Sequence, residues 1–470
     1  MKEKSEDFLW NERGNNLVRR FEKMRKEGTF RFMDVSDYEE VINTYMDKGQ
    51  LEKAGQTIKL ALHQHPGALT IRLRKADLLV SLEKYEKALE LLNLLAHLDS
   101  QNYEVFLLRG LALIHLGRKN EAIRDFDTSL SLGDEMSGDI AYQIGNELEI
   151  AGMYEEALIY MIKAYEENPD DVLVLLDMGL IYQQLGMNDD ALRVYRDFLE
   201  EEPFDVTAWG NLGRLYLRME RYEEALEAFE YLLAIQDNNP EGLFYKGRTL
   251  MQMERFREAE EEFRIYVSQS PHDVEGMINL GICYRQTGEY GRALSWYKMA
   301  VEESPDNPLP YFLIAKVYSL RNKWEDAEIY CRKALDRDHE DDEFWYLLYH
   351  IYKHTGTLRK QIEVMDTLTA LVPDNASYWL EYLLLLYDLP GKREFEGTLK
   401  RALKHLPSAA ELYYLQGIVR FQEGKYAEGE ENFLRAWSYD PGKIDWFLEK
   451  FPHILQIPEA QECIQQLKIK

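Results

Sequence analysis

The stretch AWGNLGRLYLRMERYEEALEAFEYLLAIQ, residues 208–236, carries the pattern that decides the fold of this chain. The same skeleton returns as GMINLGICYRQTGEYGRALSWYKMAVEES at residues 276–304, which is two periods of 34 residues further on. A fixed period of this length indicates one supersecondary unit stacked many times. We therefore expect an array of repeats rather than several independent domains.

Each repeat contains two helical patterns. Trp209, Gly213 and Tyr216 recur at the spacing of one face of a first helix, and Ala225 and Phe229 do the same for a second helix. Glycine inside a helix costs about 1 kcal/mol relative to alanine, so its recurrence in phase points to close packing between the two helices. The glycine recurs at Gly110, Gly145, Gly179, Gly213, Gly247, Gly281 and Gly417. The small residue of the second helix recurs at Ala54, Ala88, Ala122, Ala157, Ala191, Ala225, Ala259, Ala293 and Ala327.

Short polar segments separate the repeats, such as EEPFD at 201–205 and ESPDN at 303–307. Proline ends one helix, because it lacks the backbone N–H and clashes with the preceding turn. Aspartate or asparagine before the next apolar run is typical of a helix N-cap. These segments predict the breaks between successive repeats.

The combined pattern W-x2-L-G-x2-Y, A-x3-F and P resembles the tetratricopeptide repeat. The residues that match it in one repeat are Trp209, Leu212, Gly213, Tyr216, Ala225 and Phe229. The resemblance implies an all-α fold, a right-handed α-solenoid superhelix of antiparallel helix pairs.

Counting along the chain predicts twelve repeats over residues 35–443, a helical N-terminal cap at 1–34 and a helical C-terminal cap at 444–470. One extra residue falls in the third repeat, near residues 133–138. For the terminal segments, docking of another molecule is the alternative to capping. The repeats begin at residues 35, 69, 103, 138, 172, 206, 240, 274, 308, 342, 376 and 410.

Two repeats depart from the pattern. Tyr349 and Gln361 stand where the repeat at residue 342 should have small side chains, and Phe395 does so in the repeat at residue 376. A Leu-Pro-Gly turn at 389–391 also interrupts the latter. We expect a local irregularity in helix packing there.

Composition limits the class of partner. The net charge is −28, from 84 acidic and 56 basic residues, and the electrostatic field of such a chain repels nucleic acid and anionic membrane surfaces.

The cysteines and the N-terminus indicate the compartment. Cys283, Cys331 and Cys463 are scattered and lack metal-site spacing, which argues against a disulfide framework and a zinc site. The N-terminus does not resemble a signal peptide, and no apolar run is long enough to span a membrane. We therefore predict a cytoplasmic protein.

Motifs of catalysis are missing from the sequence, including those of phosphate-binding loops, dinucleotide folds, serine hydrolases and zinc proteases. We expect no enzyme activity and no cofactor. His350 and His354 lie four apart on one helix, a possible metal face, but no third ligand stands nearby and ordinary polar surface is the favoured interpretation. The acidic run at 336–343 lacks the spacing of a calcium loop and is predicted to cap the next helix.

The resemblance implies that first helices line a concave groove, which in this family binds an extended peptide or a partner helix. The fifth, ninth, twelfth and thirteenth positions of each repeat should face it. Arginine can hold a carboxylate through two hydrogen bonds, and aromatic rings supply apolar contact. The alternative is that these cations pair internally with acids such as Glu241 or Glu275. The basic and aromatic residues predicted to form the groove are Arg214, Arg218, Phe244, Arg248, Arg285, Phe312, Lys316, Tyr346, His350 and Lys353.

The two-carboxylate clamp of chaperone-binding relatives requires lysines and asparagines that this chain does not present. The corresponding positions carry Glu39 and Asn43, then Leu73 and Asp77. We therefore predict a non-enzymatic scaffold or adaptor that binds an acidic or aromatic-containing segment of a protein partner. The alternative is a regulatory or targeting subunit of a larger enzyme or envelope-assembly complex.

Overall fold

The structure, a computed structural model, describes residues 3–27, 32–169, 171, 173–389 and 392–469. Within these ranges every regular element is a helix, which confirms the all-α fold. The chain divides into two compact halves, Met1–Asp237 and Asn238–Lys470. Val172, where one repeat was predicted to begin, and the Pro390–Gly391 turn lie outside the described residues.

The N-terminal half holds α1 followed by six antiparallel helix pairs, counted over its described residues. A 3-10 turn, Asp134–Met136, lies where the sequence carries its extra residue. The helices are α1 (Glu3–Glu27), α2 (Val35–Asp47), α3 (Leu51–Gln64), α4 (Leu69–Ser81), α5 (Tyr85–Leu98), α6 (Tyr103–His115), α7 (Lys119–Gly133), α8 (Ser137–Ile150), α9 (Tyr154–Glu167), α10 (Leu173–Gln184), α11 (Asn188–Glu201), α12 (Val206–Arg218) and α13 (Tyr222–Ile235).

The C-terminal half likewise shows six pairs among its described residues, followed by a terminal segment. That segment includes 3-10 turns at Pro441–Lys443 and Pro452–Gln456. The helices are α14 (Pro240–Gln252), α15 (Phe256–Gln269), α16 (Val274–Gln286), α17 (Tyr290–Glu303), α18 (Pro308–Leu320), α19 (Trp324–Leu335), α20 (Asp342–Thr355), α21 (Leu358–Leu371), α22 (Ala376–Tyr387), α23 (Lys392–His405), α24 (Ala410–Gln422), α25 (Tyr426–Tyr439), α26 (Ile444–Lys450) and α27 (Pro458–Ile469).

At six of its seven positions the recurring glycine packs against an aromatic ring of the second helix, and at the seventh Gly145 packs against Met161. A Cβ added to Gly213 would lie 2.6 Å from Cε1 of Phe229, and one added to Gly247 would lie 2.8 Å from Cε2 of Phe263. Both rings are fully buried. Only glycine leaves room for the ring, which explains why a poor helix former is kept in this position.

Where the first helix carries a larger residue, the second helix carries a smaller one. Leu383 and Leu399 occupy the two positions in the pair α22–α23, and Ala315 and Cys331 do so in α18–α19. All four are buried. The interface between paired helices is thus filled by complementary volumes rather than by one fixed residue pair.

The three departures from the repeat pattern belong to the core. Tyr349 and Phe395 are each 2% exposed, and Gln361 is 6% exposed. The Gln361 amide donates a hydrogen bond to the backbone carbonyl of Tyr352, 3.1 Å away, which satisfies its buried polar group. The larger side chains are therefore accommodated in the interior of the C-terminal half.

Polar residues between repeats cap the first helices, as the sequence predicts. The backbone amide of Ala208 donates to the Asp205 carboxylate at 2.7 Å, and that of Gly276 donates to Asp273 at 2.8 Å. In the acidic run, Asp341 accepts from the Glu343 amide at 2.8 Å. Each cap satisfies an amide that has no partner inside its helix.

A second link between repeats was not foreseen from the sequence. The indole Nε1 of Trp209 donates to the carbonyl of Pro203 at 2.9 Å, and Trp379 does the same to Pro373 at 2.8 Å. In each case the tryptophan of a first helix donates to the carbonyl of the proline six residues earlier. That proline lies just after the end of the preceding second helix. The bond fixes the connection between successive pairs.

Candidate peptide-binding surface

The residues predicted to line the groove fall in both halves of the chain. Arg214 and Arg218 lie on α12 of the N-terminal half, and the other eight lie on α14, α16, α18 and α20 of the C-terminal half. We call the surface formed on these four helices by the fifth, ninth, twelfth and thirteenth repeat positions the first-helix face.

The two arginines of the N-terminal half are held by amide side chains. Arg214 is half-buried and donates to the Asn211 side chain. Arg218 is exposed and donates to Oδ1 of Asn188 at 2.9 Å. These contacts orient both guanidinium groups within the N-terminal half.

Three cations of the C-terminal half lie beside aromatic rings of their own helix. Lys316 Nζ is 4.1 Å from the Phe312 ring centroid, and Lys353 Nζ is 5.7 Å from that of Tyr349. The guanidinium carbon of Arg248 is 5.9 Å from the Phe244 centroid. In each case the aromatic residue precedes the cation by four residues, about one helical turn. The ring and the cation therefore lie on the same side of the helix and form a cation–π contact.

The aromatic residues differ in how much of them reaches the surface. Phe312 is only 3% exposed, because it packs against Phe344 with ring centroids 4.6 Å apart. Phe244 and Tyr346 are half-buried. Phe312 therefore supports Lys316 from the core, whereas Phe244 and Tyr346 keep surface that a ligand could contact.

Ion pairing on this face is sparse within the described part of the chain. Arg248, Arg285 and Lys353 form no ion pair there, whereas Lys316 lies 3.6 Å from the exposed Glu343 carboxylate. Arg248 and Lys353 are exposed, and Arg285 is half-buried. Of these four cations, Lys316 alone shows, among the described residues, the internal ion pairing that was the alternative to ligand binding.

Arg285 is the most constrained cation of the face. Its buried Nε has no hydrogen-bond partner among the described groups. It lies beside Tyr297, whose pKa is raised by burial, while the nearby arginine charge opposes that rise.

The predicted histidines are engaged by aromatic neighbours. His350 lies edge-on to Tyr346, with ring centroids 4.5 Å apart, and His354 stacks on Trp324 at 4.2 Å. Burial lowers the pKa of His350, and the charge of Glu381 partly opposes this. The described residues contain no group of three or more side chains suited to hold a metal ion.

The first-helix face meets a cavity of about 870 Å³ beyond Lys353. Tyr346 donates to Oε1 of Glu381 at 3.0 Å at this border. The terminal segment forms the opposite wall, where Phe451 contacts the Tyr387 ring. The cavity wall is mixed, because charged and polar side chains such as Glu381, Asp388 and His453 line it together with the apolar ones. Residues around the cavity include Lys353, Leu380, Leu384, Trp446, Lys450 and Phe451.

The three cysteine thiols are buried, and their reactivity should be low. Cys283, Cys331 and Cys463 are free and buried, and the Cys331 thiol donates to the Phe344 carbonyl at 3.2 Å. Burial raises the pKa of both Cys283 and Cys331 to about 12, so the reactive thiolate is scarce at neutral pH. Within the described ranges, none of the helices has the length and apolar character needed to cross a bilayer.

Several known proteins are similar to parts of this chain. A TPR repeat-containing protein of Methanocaldococcus jannaschii is 29% identical over 146 residues, which cover 31% of this chain and 25% of that protein. The chain thus matches about a quarter of the length of this curated relative. YrrB, described as a TPR protein with an unusual peptide-binding site, is 24% identical with a TM-score of 0.37, over 41% of this chain and 97% of its own. A tetratricopeptide repeat protein from Parabacteroides merdae is 20% identical with a TM-score of 0.39, over 53% and 98%.

Family profiles give the assignment directly. Three profiles, each describing the tetratricopeptide repeat, together match more than half of the chain. They match residues 45–111, 138–171, 176–240, 216–275, 246–308 and 284–351. With the Gly–aromatic packing and the tandem helix pairs, these matches lead to one conclusion: the chain belongs to the tetratricopeptide repeat family.

Proposed function

We propose that this protein is a non-enzymatic interaction scaffold, and that the first-helix face of its C-terminal half binds an extended acidic segment of a protein partner. The observation that carries the proposal is a charge contrast. A chain of net charge −28 keeps Arg248, Arg285 and Lys353 without ion pairs on one face, within its described part. Unpaired cations on a strongly acidic protein favour an anionic ligand at that place.

The aromatic neighbours support the same proposal. Phe244 and Tyr346 leave part of their rings at the surface, next to Arg248 and His350. Aromatic and arginine side chains are the residues that most often dominate the energy of protein interfaces. An acidic segment with apolar or aromatic residues between its carboxylates would use both kinds of contact.

We propose further that α1 and the segment from α26 to α27 are caps of the array, and that the protein acts in the cytoplasm. Phe21 and Met24 of α1 are buried against the core that contains Tyr38 and Val41 of α2. Phe447 and Ile464 are buried in the core at the other end. A helical array needs such cover, because its last pairs would otherwise expose an apolar face.

Affinity capture with charge-reversed variants tests the binding surface. The variant Arg248→Glu/Lys353→Glu changes two exposed cations of the first-helix face. The variant Arg264→Glu/Lys298→Glu changes two exposed cations on the second helices α15 and α17 by the same charge. We expect a partner that the wild type and the second variant both capture and the first variant loses. Equal capture by both variants would place the binding surface elsewhere.

A further inference from the structure

The terminal segment begins in the register of a thirteenth first helix but is cut short. Helix α26 starts at Ile444, one repeat length after α24 starts at Ala410. It has only 7 residues, whereas the first helices of the described repeats have 12 to 14. Phe451 and Pro452 follow it, and the helical conformation is disfavoured for a residue that precedes proline. The chain therefore leaves the repeat pattern at the C-terminal end of α26.

After this break the terminal segment reaches back across α24 to α22. Phe447 lies against Tyr414 of α24, with ring centroids 5.5 Å apart. Phe451 is edge-on to the ring of Tyr387 of α22, with centroids 5.0 Å apart. Nε2 of His453 lies 3.3 Å from the Tyr387 hydroxyl. The terminal segment and α22 thereby form two walls of the cavity of about 870 Å³.

Apolar side chains make up most of the cavity wall. Five of its fifteen lining residues are leucines, and four more are tyrosine, tryptophan or phenylalanine. Leu380 and Leu384 occupy the fifth and ninth positions of their repeat, where the preceding repeat carries Tyr346 and His350. Trp446, on the opposite wall, is 43% exposed. Large apolar side chains left in contact with water favour an apolar ligand, because covering them releases that water.

The charged side chains of the wall are equal in number and opposite in sign. They are two lysines and two carboxylates, Lys353, Lys450, Glu381 and Asp388. Such a wall favours a ligand without net charge. It also offers hydrogen-bond donors and acceptors, which the N–H and C=O groups of a peptide backbone need and an acyl chain does not.

From these observations we infer that the cavity binds an uncharged apolar segment of a protein partner, with leucine or phenylalanine side chains between α22 and the terminal segment. Cavities of about 300–1,000 Å³ with a mainly apolar wall and a few polar groups are typical ligand sites. The inference rests on the proposed scaffold function. It does not require the acidic segment, because the cavity wall has no excess of cations.

Fluorine NMR of the intact protein labelled with fluorotryptophan tests the inference. Trp446 lines the cavity, and its resonance among those of the eight tryptophans is identified by its loss in Trp446→Phe. The probes are blocked peptides, acetyl-Gln-Xaa-Phe-Xaa-Gln-amide, in which Xaa is leucine, glutamate or lysine. The leucine peptide should shift the Trp446 resonance with a dissociation constant about tenfold lower than those of the other two, because a charge loses hydration in an apolar cavity.

Variants show whether the shift arises in the cavity. Leu358→Asp and Leu384→Asp each place a charge on its wall and should weaken binding of the leucine peptide about tenfold. Leu434→Asp is the matched control, because Leu434 of α25 is 43% exposed, Leu358 is 38% exposed, and only Leu358 lines the cavity. This control should bind the leucine peptide as the wild type does. Circular dichroism verifies that all three variants are folded.

Three results would overturn the inference: equal affinity of the three peptides, tighter binding of a charged one, or an unchanged Trp446 resonance. A lower dissociation constant for sodium decanoate than for the leucine peptide would assign the cavity to acyl chains and overturn it as well. Capture with the charge-reversed variants tests the acidic-segment proposal separately, so failure of the leucine peptide leaves that proposal standing.

Discussion

Replacing Gly247 by alanine should destabilise the pair α14–α15, although alanine is the better helix former. The new Cβ would lie 2.8 Å from both Cε2 and Cζ of Phe263, which is fully buried. Overpacking of this kind costs about 1–3 kcal/mol. The higher helix propensity of alanine offsets about 1 kcal/mol of this cost. The free energy of unfolding should therefore fall by about 0–2 kcal/mol.

Gly397→Ala is the matched control. Gly397 lies inside α23, and a Cβ added there meets nothing within 4 Å. Its helix propensity gain is the same, so this variant should be stabilised by about 0.5–1 kcal/mol. The difference between the two variants isolates the steric cost at the glycine–aromatic contact.

Urea unfolding followed by circular dichroism measures both variants. Hydrogen exchange of α14, α15 and α23 shows where stability changes, because repeat arrays can open in parts. Adding Phe263→Leu to Gly247→Ala should recover part of the loss, since the pair Leu383–Leu399 packs without a glycine. If Gly247→Ala stabilises the protein as much as Gly397→Ala does, the packing explanation for the glycine period is refuted.

Three further predictions follow from single contacts. Asp273→Ala should cost about 1 kcal/mol in urea unfolding, through loss of the cap on α16, and no change would contradict the capping role. Trp379→Phe should lower the thermal midpoint by removing the bond to Pro373, at a cost of about 0.5–1.5 kcal/mol, and an unchanged midpoint would show that the ring alone suffices. Burial raises the pKa of Cys331 from 9.0 to about 12, so its contribution to stability should be complete below pH 9 and be lost as the pH rises toward 12. Cys331→Ala should flatten this part of the urea midpoint's pH profile, and an unchanged profile would contradict the assignment.

The 34-residue period predicts the fold because it records a contact inside each repeat. Gly213 and Gly247 recur in phase since each must receive a ring from its own second helix. Caps such as Asp205 are predictable for the same reason, because both partners are close in sequence. Contacts between residues that are close in the sequence can therefore be predicted from the repeat pattern.

Contacts between repeats are harder to foresee. The bond from Trp209 to the Pro203 carbonyl depends on how one pair turns into the next, and the period does not encode that turn. The offset of six residues from proline to aromatic was present in the sequence and could have been noticed. Phe312 was expected on the groove surface, yet Phe344 of the next first helix covers it. Side chains at one repeat position thus differ in exposure according to their neighbour.

The proposed binding surface can be examined most directly through lysine reactivity with and without the captured partner. Lys316 and Lys353 lie on the first-helix face, whereas the exposed Lys298 and Lys333 lie on the second helices α17 and α19. Amine labelling read by mass spectrometry should show Lys316 and Lys353 protected by the partner and Lys298 and Lys333 unchanged. Protection of Lys298 and Lys333 with full labelling of Lys316 and Lys353 would contradict the proposal.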